Sequence, residues 1–225
     1  LDDCTPNLVN SCYGASSQRC FAGSNLLMVA SIYEQLKQRL VAATKEFVLG
    51  YGVDKEVNMG PVISRASLER LHTEIENALK EGAKMVLDGR NPKVPKYPKG
   101  YFLGPTILEA EPGMKVFDHE VFGPVRCLKK VRDLAEAISI INRSSYGHTA
   151  VIYTENGSLA REFARRVNTG QVGVNVGTPA PIAFYAVGGR KLSFFGSLRG
   201  RANDAVSFYT DKKVIVSTWH TPVGT

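Results

Sequence analysis

Cys20 sits in the run Ser16-Ser17-Gln18-Arg19-Cys20-Phe21-Ala22-Gly23-Ser24, small and polar on one side of the thiol, with a guanidinium next door. A thiolate is the nucleophilic form of cysteine and a neighbouring cation favours it. The chemistry this run permits is attack on an electrophilic carbon to give a covalent intermediate. Taken alone the run is weak, because an intracellular cysteine is more often a buried, inert one. Cys4, Cys12 and Cys127 carry that second reading. The four cysteines form no C-x-x-C pair, no Cys/His zinc spacing and no disulfide framework. That pattern points to an intracellular, reducing compartment, without separating mitochondrion from cytoplasm. His72, His119, His148 and His220 are too scattered to make a metal centre or a Cys/His dyad; they read as surface or satisfied core residues, and no metal is expected.

The elements that must hold Cys20 follow from periodicity. Asn25 to Ala30 reads as a strand, and Ile32, Leu36, Leu40 and Ala43 mark the apolar face of a helix running to about Glu46, ended by Gly50 and Gly52. A second helix, about Arg65 to Glu81, carries Leu68, Leu71, Ile75 and Leu79 on one face and leads through Gly82 into a short strand, Lys84 to Leu87. The proline-rich segment 91–100 reads as an exposed loop whose lysines need no functional explanation. Val125 to Val131 is a strand, and Asp133-x-x-Glu136 resembles a capping box opening a helix with Leu134, Ile138 and Ile141 on its face. Thr149 to Tyr153 is the next strand; Leu159, Phe163 and Val167 define another helix, and Gln171 to Asn175 a further strand.

Such alternation predicts an α/β fold, a mostly parallel sheet with helices on its faces. Residues 177–203 lack clear periodicity and read as a long functional loop. Ala205 to Tyr209 and Val214 to Thr218 are two β-prone runs, expected to form a hairpin or strands lying against another subunit.

At 225 residues, 44% hydrophobic and 22% charged, the chain is long enough for a sizeable core. No uncharged apolar stretch approaches the roughly 18 to 20 residues of a spanning helix, so no membrane segment is expected. The formal charge of +7 is spread without the aromatic interleaving of a nucleic-acid module, and reads as a basic solvated surface. Leu1-Asp2-Asp3-Cys4 has no initiator methionine and no basic-then-apolar pattern, which predicts no secretory signal and a start inside a longer protein.

Six segments change the weight given to Cys20. In order they are Gln18-Arg19-Cys20, Met59-Gly60-Pro61-Val62-Ile63-Ser64, Gly104-Pro105-Thr106-Ile107, Glu120-Val121-Phe122-Gly123-Pro124-Val125, Tyr146-Gly147-His148-Thr149-Ala150 and Gly170-Gln171-Val172-Gly173-Val174-Asn175. Each alone recurs by chance; together, in this order, they resemble the C-terminal catalytic half of the aldehyde dehydrogenase family. Within the family, Gln18-Arg19-Cys20, Gly170 to Asn175 followed by a proline-bearing loop, and Phe208-Tyr209-Thr210 near Ser217-Thr218-Trp219 most resemble the methylmalonate-semialdehyde dehydrogenase subgroup, whose members acylate coenzyme A. His119 departs from the acidic residue common beside Glu120. The loop Val187-Gly188-Gly189-Arg190-Lys191-Leu192-Ser193 follows the general family form rather than the subgroup's, which puts substrate choice in question more than reaction class.

The resemblance implies roles. Cys20 would be the catalytic nucleophile, passing a hydride to NAD and leaving a thioester that coenzyme A, or water in hydrolytic relatives, releases. Glu120 would accept hydrogen bonds from the nicotinamide ribose, with a solvated loop acid as the bland alternative; Phe122 would lie beside the nicotinamide, or else be a core aromatic. Arg19 would pair with a substrate carboxylate, or merely tune Cys20 or make a structural pair. Asn175 and the stretch from Pro179 to Phe184 would line the substrate tunnel, or serve turn and packing. The Cys20 N–H would be one oxyanion donor; its usual partner, an upstream asparagine, is not in this chain.

No glycine-rich strand-to-helix turn precedes Cys20, so the NAD-binding domain is expected upstream, and the chain alone is not expected to turn over. The expected organisation is a catalytic domain over 1–203 and oligomerisation strands over 204–225. The expected partners are a small aldehyde and further copies in a homo-oligomer, with neither nucleic acid nor membrane. A hydrolytic NAD(P)-dependent relative and a naturally short, non-catalytic association module are the alternatives.

Overall fold

The computed structural model of the protein describes residues 1–219; His220 and the end of the expected 204–225 segment lie outside the described residues. The chain divides into a large unit, Leu1–Ala180 with Gly188–Phe195, and a small one, Pro181–Val187 with the chain from Gly196.

In the large unit, β1 (Asn25–Val29), β2 (Lys84–Leu87), β3 (Thr106–Glu109) and β4 (Val125–Val131) form one sheet in the order β1-β4-β3-β2. β4 pairs in parallel with both β1 and β3, and β2 pairs antiparallel with β3. The sheet is therefore mostly parallel, as the alternation predicts, and the central β4 is covered on both faces. One core joins Leu108, Val125 and Cys127 to Leu71 and Ile75 of α3 (Arg65–Lys80) and to Val116 of α4 (Lys115–Asp118). The other joins Ile107 and Leu128 to Cys12 and Tyr13 of α1 (Cys4–Tyr13) and to Leu36 and Leu40 of α2 (Tyr33–Lys45). Successive residues Ile107 and Leu108 thus face opposite cores, as the period of two in a strand requires.

A separate parallel pair, β5 (Thr149–Ile152) and β6 (Gln171–Val174), packs with α5 (Leu134–Arg143) and α6 (Gly157–Arg166) around Ile138, Ala150, Phe163 and Val167. Local signals start these helices. Ser64 Oγ accepts the Ser67 N–H at 3.1 Å, and Asp133 accepts the Glu136 N–H at 2.9 Å. The Glu136 carboxylate turns back to the Arg132 N–H at 2.9 Å, one residue beyond the reciprocal bond of a capping box.

The expected hairpin of Ala205 to Tyr209 with Val214 to Thr218 is corrected. Ala205 to Tyr209 falls within a helix, α7 (Ala202–Tyr209), in the small unit, and Val214 to Thr218 belongs to no strand. A strand needs a neighbour for its N–H and C=O groups, whereas a helix satisfies them within itself. Among the described residues no strand pairs with this segment, and Val214 and Val216 stay 86% and 90% exposed. No helix of the described residues is long and apolar enough to cross a membrane.

Candidate active site

The chain leaves α1 at Gly14 and enters a tight turn, Gly14–Ser17, in which Ala15, Ser16 and Ser17 take φ of 55°, 51° and 60°. Left-handed backbone costs about 1–2 kcal/mol for each residue bearing a Cβ, so three in succession must be held from outside. Ser16 Oγ donates to the Gly60 carbonyl at 2.8 Å, and Ser17 Oγ donates to the Cys12 carbonyl; both serines are buried. Gln18 extends the hold, its Oε1 accepting the Ile63 N–H at 2.8 Å and its Nε2 donating to Ser67 Oγ at 3.1 Å and to the Phe122 carbonyl at 3.4 Å. Cys20 emerges from this turn with its side chain exposed. Among the described residues its N–H has no hydrogen-bond partner and remains free to donate to an oxyanion.

The opposite wall comes from the segment between α4 and β4. Glu120 is exposed, and Phe122, 39% exposed, is itself left-handed at φ 48°. Gly123 lets this segment press on α3: a Cβ there would lie 2.4 Å from Leu71 Cδ2. Cys20, Arg19, Glu120 and Phe122 line one pocket together with Ser24 and Arg126. Non-helical backbone of this kind is costly and collects where a site over-determines it. An exposed carboxylate beside an exposed ring suits the hydroxyls and flat face of a nicotinamide riboside, so these residues fit an NAD-type cofactor.

Four of the five residues expected at the site thus meet in one place. Asn175 does not join them: at φ 56°, its amide accepts the Thr154 N–H and donates to the Thr154 carbonyl, both at 2.9 Å, extending the β5–β6 ladder. Arg19 reaches the pocket, but one of its amino groups is held by the Asn10 carbonyl and, at 3.3 Å, by the Ser11 carbonyl at the end of α1. Its Nε is buried without a partner. The Gly188-to-Ser193 variation has a structural job. Lys191 Nζ donates to the carbonyls of Asn142 and Ser144 at 3.0 and 2.9 Å, capping α5. Gly170 and Gly188 are in backbone contact too close for any Cβ.

Two residues escaped sequence reasoning. His148 packs against Phe21, the neighbour of Cys20, at 4.5 Å between ring centroids with the ring planes tilted by 42°. Its Nε2 is buried without a partner, which corrects the satisfied-core reading. Burial pushes its pKa down while the Glu120 charge opposes that shift. Arg126 is 2% exposed and is tied to the carbonyl of Gly23 at 2.7 Å and to that of Gly123. The Tyr146-Gly147-His148 motif was a signal for His148; nothing in the pattern of β4 distinguishes Arg126 from a solvent-facing strand residue.

A family model described as aldehyde dehydrogenase family matches residues 1–215. Malonate-semialdehyde dehydrogenase of Halalkalibacterium halodurans is 39% identical over 97% of the chain, which covers 45% of that protein. The crystal structure of methylmalonate-semialdehyde dehydrogenase from Oceanimonas doudoroffii superimposes with a TM-score of 0.94 at 34% identity, covering 98% of this chain and 46% of that one. Betaine aldehyde dehydrogenase from Staphylococcus aureus, solved with NAD+, superimposes with a TM-score of 0.88 at 29% identity, over 92% of this chain and 41% of its own. The chain spans about half the length of the relatives it matches.

Proposed function

The chain belongs to the aldehyde dehydrogenase family, and from that membership we propose that it supplies the catalytic half of an NAD-dependent, CoA-acylating semialdehyde dehydrogenase. The substrate would be malonate or methylmalonate semialdehyde, converted with loss of CO2 to acetyl-CoA or propionyl-CoA. One observation carries the reading: Cys20, exposed at the end of a strained turn, shares a pocket with Glu120 and Phe122. The likeness to semialdehyde dehydrogenases supports the substrate class.

The residues divide the work. Cys20 Sγ attacks the aldehyde carbon, forming a C–S bond while the carbonyl oxygen becomes an oxyanion that the Cys20 N–H is free to receive. Glu120 would hold the ribose of NAD and Phe122 would lie against its ring, and the bound cofactor would supply the acceptor for the hydride that leaves when the adduct becomes a thioester. The tethered turn keeps Sγ from drifting between attack and release; the carboxylate of the bound acyl group leaves as CO2 with a proton taking its place, and the thiol of coenzyme A then takes the acyl group as the C–S bond to Cys20 breaks. In the cell we place this chemistry in an intracellular, reducing compartment, where the free thiols Cys4 and Cys20 persist, and within a homo-oligomer.

The test uses the polypeptide that carries this chain in its source, assayed for NADH formation on malonate semialdehyde with and without coenzyme A. CoA-dependent turnover supports the reading; equal turnover without CoA replaces it with the hydrolytic alternative, and no NADH from any aldehyde leaves the association module. The hold of the Asn10 and Ser11 carbonyls on Arg19 favours a structural tie over a carboxylate clamp. Arg19→Ala separates these: a KM rise confined to acidic semialdehydes, with propanal unaffected, restores the clamp.

A further inference from the structure

Arg126 is a full cation buried in the middle of the large unit, and no carboxylate pairs with it among the described residues. It projects from β4 onto the face that Leu128 and Tyr13 fill with apolar groups, its guanidinium carbon 5.7 Å from the Tyr13 ring centre. Burying a charge there costs stability that an apolar side chain would not forfeit, so a structural reason alone does not explain an arginine. Its two amino groups donate to two carbonyls far apart in sequence, Gly23 at 2.7 Å and Gly123. The first lies just after Cys20 and the second just after Glu120 and Phe122. Gly23 is fixed further by its N–H donating to the Ser11 carbonyl at 3.1 Å, and the Gly123 carbonyl also accepts the Val125 N–H at 2.7 Å.

We propose that Arg126 is a positioning residue, whose planar fork fixes the Cys20 segment against the Glu120–Phe122 segment and so sets the distance between the nucleophile and the cofactor side of the site. This rests on the dehydrogenase reading above. A guanidinium suits the task because its donors are rigid and divergent, so one side chain holds two acceptors at a fixed separation that the rotatable donors of an ammonium do not set. Although Arg126 also borders the pocket, both of its amino groups are taken by these carbonyls, so it acts through the two backbone segments.

The experiment compares wild type, Arg126→Lys and Arg126→Met in the polypeptide that carries this chain in its source. First, without NAD, amide hydrogen exchange is followed in residues 20–24 and 119–124. Arg126→Met should speed exchange at least about tenfold in both segments while α3 stays unchanged. Second, NADH formation is normalised to alkylatable Cys20. The aldehyde KM should hold within about threefold while kcat falls at least about tenfold, and a deuterated aldehyde hydrogen should slow the variant more than the wild type. Lys, reaching one carbonyl, should fall between. If Arg126→Met does not fold, Arg126→Lys decides by the same kcat and isotope criteria. Unchanged exchange, or kcat per reactive Cys20 within twofold of wild type with no rise in isotope effect, overturns the inference while the dehydrogenase reading stands. A wild type that forms no NADH from any aldehyde overturns both.

Discussion

Cys12 and Cys20 flank the same short turn and have opposite fates. Cys12 is fully buried against the sheet, its thiol pushed up to about 11 by desolvation in spite of Arg126 and Arg19 nearby. Cys20 stands exposed in a pocket with Arg19 and Glu120. Between them lie three left-handed residues held by buried serines and Gln18. The end of α1 buries Cys12 against the sheet, whereas the turn that leaves it against its own preference exposes Cys20. The difference teaches that the exposure of a thiol here is made by backbone, and that residue type alone would not separate the two cysteines.

The contrast breaks first at Cys20 itself. Cys20→Ala should lower NADH formation by about a thousandfold or more, since no other thiol can form the acyl intermediate, and should leave the thermal midpoint nearly unmoved because the side chain is exposed. Cys127→Ser should do the reverse, adding a hydroxyl to a core where the thiol is 2% exposed and costing about 1–3 kcal/mol. Loss of activity in Cys127→Ser without loss of stability would erase the division between the two regions.

Alkylation sharpens it next. Burial raises the Cys127 thiol to about 12 and the Cys12 thiol to about 11, so near pH 8 both are almost wholly protonated and shielded. Iodoacetamide should modify Cys20 at least about a hundred times faster than either. Mass mapping of the first equivalent would settle the order, and comparable labelling of Cys12 would mean that the underside of the turn opens readily.

The turn is a smaller lever. Ala15→Gly should stabilise the fold by up to about 1 kcal/mol, because glycine takes φ near 55° without the Cβ clash but adds entropy to the unfolded chain. A rise in thermal midpoint together with a lower kcat would mean that the strain serves positioning; a fall would mean that the turn is not strained at this residue.

Much of this arrangement was legible beforehand because it obeys periodic rules. Leu68, Leu71, Ile75 and Leu79 announced α3, and its cap Ser64 does what a serine before a helix should. α1 was not legible: Cys4–Tyr13 buries only Ser11, Cys12 and Tyr13, too few to mark a face. β3 was hidden for the opposite reason, since Thr106, Ile107 and Leu108 are all buried and show no alternation. Glu120 and Phe122 could be named from their motif, whereas Arg126 could not, because a strand sequence does not say that its polar residue will be enclosed by sheets and helices on both faces. The β-prone run within α7 misled because strand propensity expresses itself only where a partner strand exists.

The smallest effect concerns His148, at the edge of the same contrast, half-buried against Phe21. Desolvation lowers its pKa below the ordinary 6.5, and the Glu120 carboxylate, the charged group facing it, only partly offsets this. The neutral ring is the one that fits the fold, so the unfolded chain takes up the proton more readily. The stability His148 contributes is fully present above about pH 6.5 and is lost as pH falls toward the lowered folded value. Thermal midpoints of wild type and His148→Gln, measured from pH 8 down to pH 5, should therefore run parallel above pH 6.5 and draw together below it. Wild type should lose stability faster there by a small margin, since the ring is partly solvated. Curves that diverge in the opposite sense would mean that His148 is charged in the folded protein and paired with Glu120, making it part of the cofactor wall rather than of the packing beneath Phe21.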